Sequence, residues 1–286
     1  MRCSIPASGM SRRPLTHVAF VAGLAITAVL VGTAGLALVW TPTDPLAMSI
    51  AGRLEAPSRS HPFGTDQYGR DVLARVMAGT VTTIAVGLLA VGVGAGIGIP
   101  LGIAGGYVDG WLDEALMRLV DAVQGFPAIL SALLFSAAFR PGVIVSTVAI
   151  GAAFVPAFAR LARGSFLELR GRDFVLAAAA MGATDGRLIG RHILPNSLSP
   201  LIVQGTTSFP VAVLAEAALA YLGLGTQPPQ PSWGLMLKEA QNFLGISPWF
   251  AIFPGGAIAL TVLGLNLFGD GLRDLLDPGR ASGFGA

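Results

Sequence analysis

Residues 160–196 read RLARGSFLELRGRDFVLAAAAMGATDGRLIGRHILPN, a polar, arginine-rich segment set between long apolar stretches. Arg160, Arg163, Arg170, Arg172, Arg187 and Arg191 crowd into it. A chain that holds such a segment on one side of a membrane offers either a docking surface or a cationic loop that fixes topology. Its local signals describe two short helices and a turn. Phe166, Leu169, Phe174, Val175 and Ala177–Ala180 favour helix, and Met181 precedes Gly182, a helix terminator. Thr184 or Asp185 caps a second helix through Arg191, and Pro195 is expected to end it. Pro200 then falls in the first turns of the next apolar stretch.

Outward from this segment, the sequence belongs to a lipid environment. Of 286 residues, 53% are hydrophobic and 12% charged, about half the charge of soluble domains. Crossing a hydrocarbon core of about 30 Å takes roughly 20 apolar residues of helix. Six stretches approach that: 18–39, 81–104, 115–138, 143–159, 198–222 and 250–268. The third contains Arg118, Asp121 and Gln124, and the fourth Pro156. The first follows Ser11-Arg12-Arg13, but its length and the lack of an A-x-A site read as an uncleaved anchor rather than a signal peptide. The expected fold is therefore all-α, a polytopic membrane helix bundle of about six transmembrane helices. Its expected divisions are a cytoplasmic tail at 1–17, a first helix at 18–40, an extracytoplasmic loop at 41–79, a five-helix core at 80–272 and a cytoplasmic tail at 273–286. Of the 18 lysines and arginines, an N-in arrangement places about twice as many inside as outside, so both termini are expected in the cytoplasm.

Within the second stretch, Gly92, Gly94, Gly96, Gly98 and Gly102 give G-x-x-x-G pairs that let helix backbones approach closely in lipid. No G-x-G-x-x-G register fits them, and no strand precedes them. The chain has one cysteine and three separated histidines, which exclude an internal disulfide and a cysteine-rich metal site. No nucleophile elbow occurs. A phosphate loop requires G-x-x-x-x-G-K-[ST], and the single lysine, Lys238, lies in GLMLKEA. ATP-driven work would thus fall to another polypeptide, and no basic run points to nucleic acid.

The segment FVLAAAAMGATDGRLIGRHILPNSLSP resembles the EAA loop of ABC importer permeases, E-A-A-x-x-x-G followed after about nine residues by I-x-L-P. Ala177, Ala178 and Gly182 match, with Ala183 following, and Ile193, Leu194 and Pro195 stand at the second element. Leu176 departs, standing where that family has Glu. Further residues narrow the resemblance to dipeptide and oligopeptide permeases of the DppC/OppC type. They are His61 to Asp66 with Gly69-Arg70-Asp71-Val72, Gly110-Trp111-Leu112-Asp113-Glu114 leading to Arg118, and Phe126-Pro127. Leu214-Ala215-Glu216-Ala217, Tyr221 to Gly225, Gln227-Pro228-Pro229, Pro231 to Gly234, Asn266 to Asp274 and Asp277-Pro278 belong to it too.

The resemblance implies one permease subunit of a binding-protein-dependent importer in the bacterial plasma membrane. It would bind no cofactor itself, with ATP and Mg on two partner ATP-binding subunits docked on the EAA loops. A homologous second permease would complete the pore, and an extracytoplasmic solute-binding protein would deliver peptides, nickel chelates or glutathione. A secondary transporter is the competing class, but the two halves show no repeat.

Single residues carry open readings. Asp121 and Gln124 share a helical face and either line the translocation path or bond to neighbouring helices. Glu216, inside an apolar stretch, either faces the path or pairs with a helix, the second being favoured. Residues 64–71 suggest a self-bonded turn that stabilises the fold, with contact to a binding protein as the alternative. Arg118 reads as an interfacial anchor, and Trp40, Trp111, Trp233 and Trp249 as interfacial belts.

Overall fold

The computed structural model describes residues 13–108 and 110–276, and those residues form helices joined by loops, the longest of them at 38–71. Cys3, Arg280 and Asp277-Pro278 lie outside the described residues, whereas the parts of the expected tails at 13–17 and 273–276 are helical. Among the described residues, five helices are long and apolar enough to cross a membrane. They are α1 (Arg13–Ala37), α2 (Val72–Tyr107), α5 (Val143–Arg170), α8 (Leu194–Tyr221) with the turns that lead into it, and α10 (Trp249–Leu276). The shorter helices are α3 (Trp111–Gln124), α4 (Ala128–Ala138), α6 (Asp173–Ala180), α7 (Asp185–Arg187) and α9 (Trp233–Ala240).

The expected third span is not one helix. It breaks into α3 and α4 at Gly125–Pro127. Pro127 lacks the N–H that would continue the ladder, and its ring drives Phe126 out of the helical region. The fourth span instead runs well beyond residue 159, to Arg170, and carries Pro156 inside it.

The bundle is built on α2 against α5, which run parallel. Every fourth residue of α2 meets α5: a Cβ on Gly94 would lie 2.6 Å from Phe154 Cβ, and one on Gly98 2.6 Å from the Val155 carbonyl. Gly102 abuts the Ala159 carbonyl, and a Cβ on Gly106 would lie 3.0 Å from that of Arg163. Gly92 and Gly96 face open space. Lipid tails are as apolar as Leu, so close packing rather than the hydrophobic effect holds such helices together. Gly98→Val should therefore force α2 and α5 apart and lower the melting temperature of the detergent-purified chain, at a cost of about 1–3 kcal/mol. Gly96→Val should leave it unchanged. Equal melting of the two variants would rule out this packing role.

α1 runs antiparallel to α10, with Phe20 stacked on Phe268 at 5.9 Å and Gly264 set against Ile26. The start of α1, the end of α10, the end of α2, the start of α3, the end of α5 and α6–α7 all lie at one end of the bundle. Ser199 Oγ donates to the Leu276 carbonyl at 3.1 Å, closing α8 onto α10 there.

Residues 41–71 and α9 form the opposite end, and a buried ion cluster ties them together. Asp66 Oδ1 accepts from the backbone N–H of Tyr68 and Arg70 at 2.8 and 2.9 Å. Its Oδ2 accepts from Arg70 Nε at 2.6 Å and from Arg75 Nη1. Glu239 Oε2 on α9 accepts from the same two guanidinium groups at 3.1 and 2.9 Å. Asp71 caps α2 through the Ala74 N–H at 2.8 Å and pairs with His61 Nδ1 at 2.8 Å. The expected self-bonded turn is present, and its Arg70 reaches 169 residues along the chain to Glu239. Trp233 departs from the belt reading: it is 2% exposed, with Nε1 donating to the Val76 carbonyl at 3.0 Å. Trp40 and Trp111 are exposed and Trp249 is half-buried.

Candidate docking and translocation sites

The arginine-rich segment forms a compact knob on the end of α5. Helix α6 turns Val175 and Ala178 inward against Phe166 of α5 and against Leu188 and Ile193 from the next element. Its other faces carry Phe174, Leu176, Ala177 and Met181 into the open, Met181 at 84% exposure. The helix closes in a Schellman turn, in which the Ala183 N–H bonds the Ala178 carbonyl at 3.1 Å and the Gly182 N–H bonds that of Ala179 at 2.9 Å. Gly182 takes φ +84°, which side chains on a Cβ disfavour. Ala183 packs under the turn.

The second helix of the segment does not end at Pro195. α7 passes into a π-helical stretch, Leu188–Ile193, and then directly into α8 with Pro195 near its start. The Leu194 N–H reaches back five residues to the Ile189 carbonyl at that junction. The wider π turn lies immediately before the proline, where a regular ladder would lack a donor. Ile193 is fully buried, Leu194 is half-buried and Pro195 is exposed. The knob is thus clamped between the end of α5 and the start of α8, both of which cross the bundle. Ala178, Met181, Gly182, Ala183, Arg187, Arg191 and His192 line a recess of about 320 Å³ on its face.

The residues proposed for a translocation path do not form one cluster. Asp121 is exposed and accepts from Arg160 Nη2 at 2.6 Å. Gln124 is exposed beside the break, on a recess shared with Phe126, Pro127, Ser131 and Phe135. Glu216 is 1% exposed, near the far end of α8. Its Oε1 accepts from Thr226 Oγ1 at 3.3 Å. That contact ties α8 to the loop after it. Arg118 is exposed and pairs with Glu114 one turn away.

The profile of the family described as binding-protein-dependent transport system inner membrane component matches residues 98–282. The chain belongs to this family. It is similar to the dipeptide transport system permease protein DppC of Alkalihalophilus pseudofirmus, with 42% identity across 90% of this chain and 85% of the relative. It is also similar to the glutathione transport system permease protein GsiD of Pectobacterium atrosepticum, with 43% identity across 92% and 87%. Among solved structures, a chain of the MetNI methionine ABC transporter in an inward-facing conformation superposes with a TM-score of 0.58. That match has 18% identity and covers 71% of this chain and 96% of the other, which is a likeness of fold.

In this inner membrane component, several groups escaped the sequence reading. Glu239 and Arg75 complete the ion cluster, yet they lie far apart in sequence, and each alone looks like an ordinary helix charge. The bidentate pair between Asp113 and Arg163, with both bonds at 2.6 Å, was equally hidden. Hydrogen bonds from Arg163 hold the Asp113 carboxyl below the usual carboxylate range.

Proposed function

We propose that this chain is the membrane permease subunit of an ATP-driven importer of dipeptides or oligopeptides. The observation that carries the reading is the exposed α6–Gly182 knob, clamped to two crossing helices at once, in a chain of the binding-protein-dependent family. A partner seated on Leu176, Ala177, Met181 and Gly182 would push on α5 and α8 together, because Ala178 and Ile193 lock the knob to both. Such a push suits a rigid-body change between two packings of the bundle.

In this reading two ATP-binding subunits hold ATP and Mg, dock on the knob of each permease, and do the hydrolysis; this chain does no covalent chemistry. A homologous second permease closes the pore. An extracytoplasmic solute-binding protein delivers cargo at the end formed by residues 41–71 and α9. The knob end, with the start of α1 and the end of α10, faces the cytoplasm, in keeping with its arginines. Glutathione, a modified tripeptide, is the second cargo reading, supported by the similarity to the glutathione permease.

The test is purification of the tagged chain from its host in mild detergent, followed by reconstitution with the co-purifying subunits and the binding protein. The expected outcome is a complex of two permeases and ATPase subunits that takes up labelled dipeptide at the cost of ATP. A chain that purifies alone and hydrolyses nothing would point to a self-contained transporter.

Leu176 stands where related loops carry a carboxylate and is 55% exposed, so its side chain lies at the docking surface rather than in the core. Leu176→Glu should leave the melting temperature unchanged and keep or tighten ATPase association, read as the fraction of subunits retained through gel filtration. Loss of the complex would show that the partner's groove is apolar to suit leucine.

A further inference from the structure

Helices α3 and α4 are fastened to the bundle by different forces. In α4, Ala132 is 2% exposed and packs into an apolar cluster with Val86, Ala149, Ile150 and Leu219. In α3, Val120 is the one buried residue, while Trp111, Leu119 and Val123 are exposed. Leu112, Leu116 and Met117 are half-buried, and charge fixes the helix in orientation: Arg163 grips Asp113 through two bonds of 2.6 Å, and Arg160 adds Asp121 at 2.6 Å. Planar guanidinium–carboxylate pairs of this kind fix orientation as well as distance. The Asp113–Arg163 pair is partly shielded, with side chains 17% and 33% exposed, and it sits over Gly105 of α2, where an added Cβ would lie 2.9 Å from Asp113 Oδ1. Arg163 also stands one turn before Phe166, the residue around which the docking knob is packed.

We propose that Asp113 and Arg163 are positioning residues that make α3 move as one body with the docking end of α5, with Gly125–Pro127 as the hinge against α4. The inference rests on the importer reading above. A push on the knob then swings α3 while α4 stays with the core, so the broken span is where motion at the docking end becomes movement within the bundle. Without the pair, α3 keeps only Val120 fully buried, with Leu112, Leu116 and Met117 half-buried, to carry it along.

The experiment uses the reconstituted complex, with Cys3→Ser and spin labels at exposed positions. Labels at 119 and 167 report α3 against α5, and labels at 119 and 134 report α3 against α4. On trapping with ATP and vanadate, the 119–167 distance should stay fixed while the 119–134 distance changes. In Asp113→Asn, nearly the same shape, the 119–167 distance should broaden, ATP hydrolysis should persist, and uptake should fall about tenfold, the scale of a lost coupling contact. The reversed pair, Asp113→Arg with Arg163→Asp, should recover uptake that Asp113→Arg alone loses.

A fixed 119–134 distance, or an Asp113→Asn complex with parental uptake, would overturn the proposal. A parental complex that hydrolyses ATP without importing peptide would sink the cargo reading alone, since the distances still decide the hinge. Absence of any bound ATPase would sink the importer reading and the proposal with it.

Discussion

Asp66→Ala is expected to leave little folded chain in the membrane. Asp66 is fully buried and accepts four hydrogen bonds, two from backbone N–H groups and two from the guanidinium groups of Arg70 and Arg75. With Glu239, the four side chains form a neutral group of two cations and two anions. Removing one anion leaves two buried guanidinium groups sharing a single carboxylate. Breaking a buried pair in this way costs about 3–5 kcal/mol, a large part of the roughly 5–15 kcal/mol by which folded proteins exceed their unfolded state. The cluster also holds the 41–71 segment against α9, so both should loosen together. The measurement is the yield and melting temperature of the purified chain, with Arg59→Ala, an exposed charge in the same loop, as the control. Asp66→Asn should be milder, because an amide keeps the acceptor facing the Tyr68 and Arg70 N–H groups. Melting of Asp66→Ala at the parental temperature would show that water reaches these arginines.

Gly182→Asp is expected to have the opposite profile, with a folded, inserted chain and no uptake. A Cβ at Gly182 would meet nothing within 4 Å, so no clash threatens the fold. The φ of +84° adds strain, which Asp tolerates better than most residues. The damage is at the surface. The new carboxylate would sit at the C-terminal end of α6, where the helix dipole already concentrates negative charge. It would also project into the recess beside Arg187 and Arg191 and draw those cations away from a partner. Loss of a docking anchor costs about 2 kcal/mol or more, roughly a thirtyfold drop in association. ATP-driven uptake in the reconstituted complex and co-purification of ATPase subunits are the two readouts. Gly182→Asn, with the same shape and no charge, should retain both in large part. Normal uptake by Gly182→Asp at normal expression would end the docking role assigned to this turn.

The two variants separate two kinds of residue that look alike in the sequence. Asp66 lies in a short-range turn motif, G-T-D-x-x-G-R-D, and the motif does fold on itself. What it could not show is that Arg70 and Arg75 reach across to Glu239, because that contact depends on how α9 settles against α2. The docking segment was more open to reading, since its determinants are local. Gly182 after a run of alanines signals a helix stop, and the Schellman bonds are made between residues five apart or fewer. Pro195 misled for a local reason too: a proline was expected to end a helix, but the π turn before it and the packing of Ile193 kept the chain helical. At Pro127 the same rule held and the span broke, there with Gly125 beside it and no buried cluster around Phe126, which is 63% exposed.

Composition and the spacing of apolar runs determined by themselves that this chain crosses a membrane as helices, because a backbone in lipid can satisfy its polar groups internally in few other ways. Local sequence likewise determined where the docking knob begins and turns. The tertiary structure alone decided which glycines matter: Gly94, Gly98 and Gly102 face α5, while Gly92 and Gly96, two residues away, face open space. It also decided which charges pair, Arg75 with Asp66 and Glu239, and Asp113 with Arg163. The physical reason is one of range. Helix propensity, hydropathy and turn chemistry act over a few residues and are written locally, whereas the face a helix presents and the charge it meets depend on the angle at which distant helices pack.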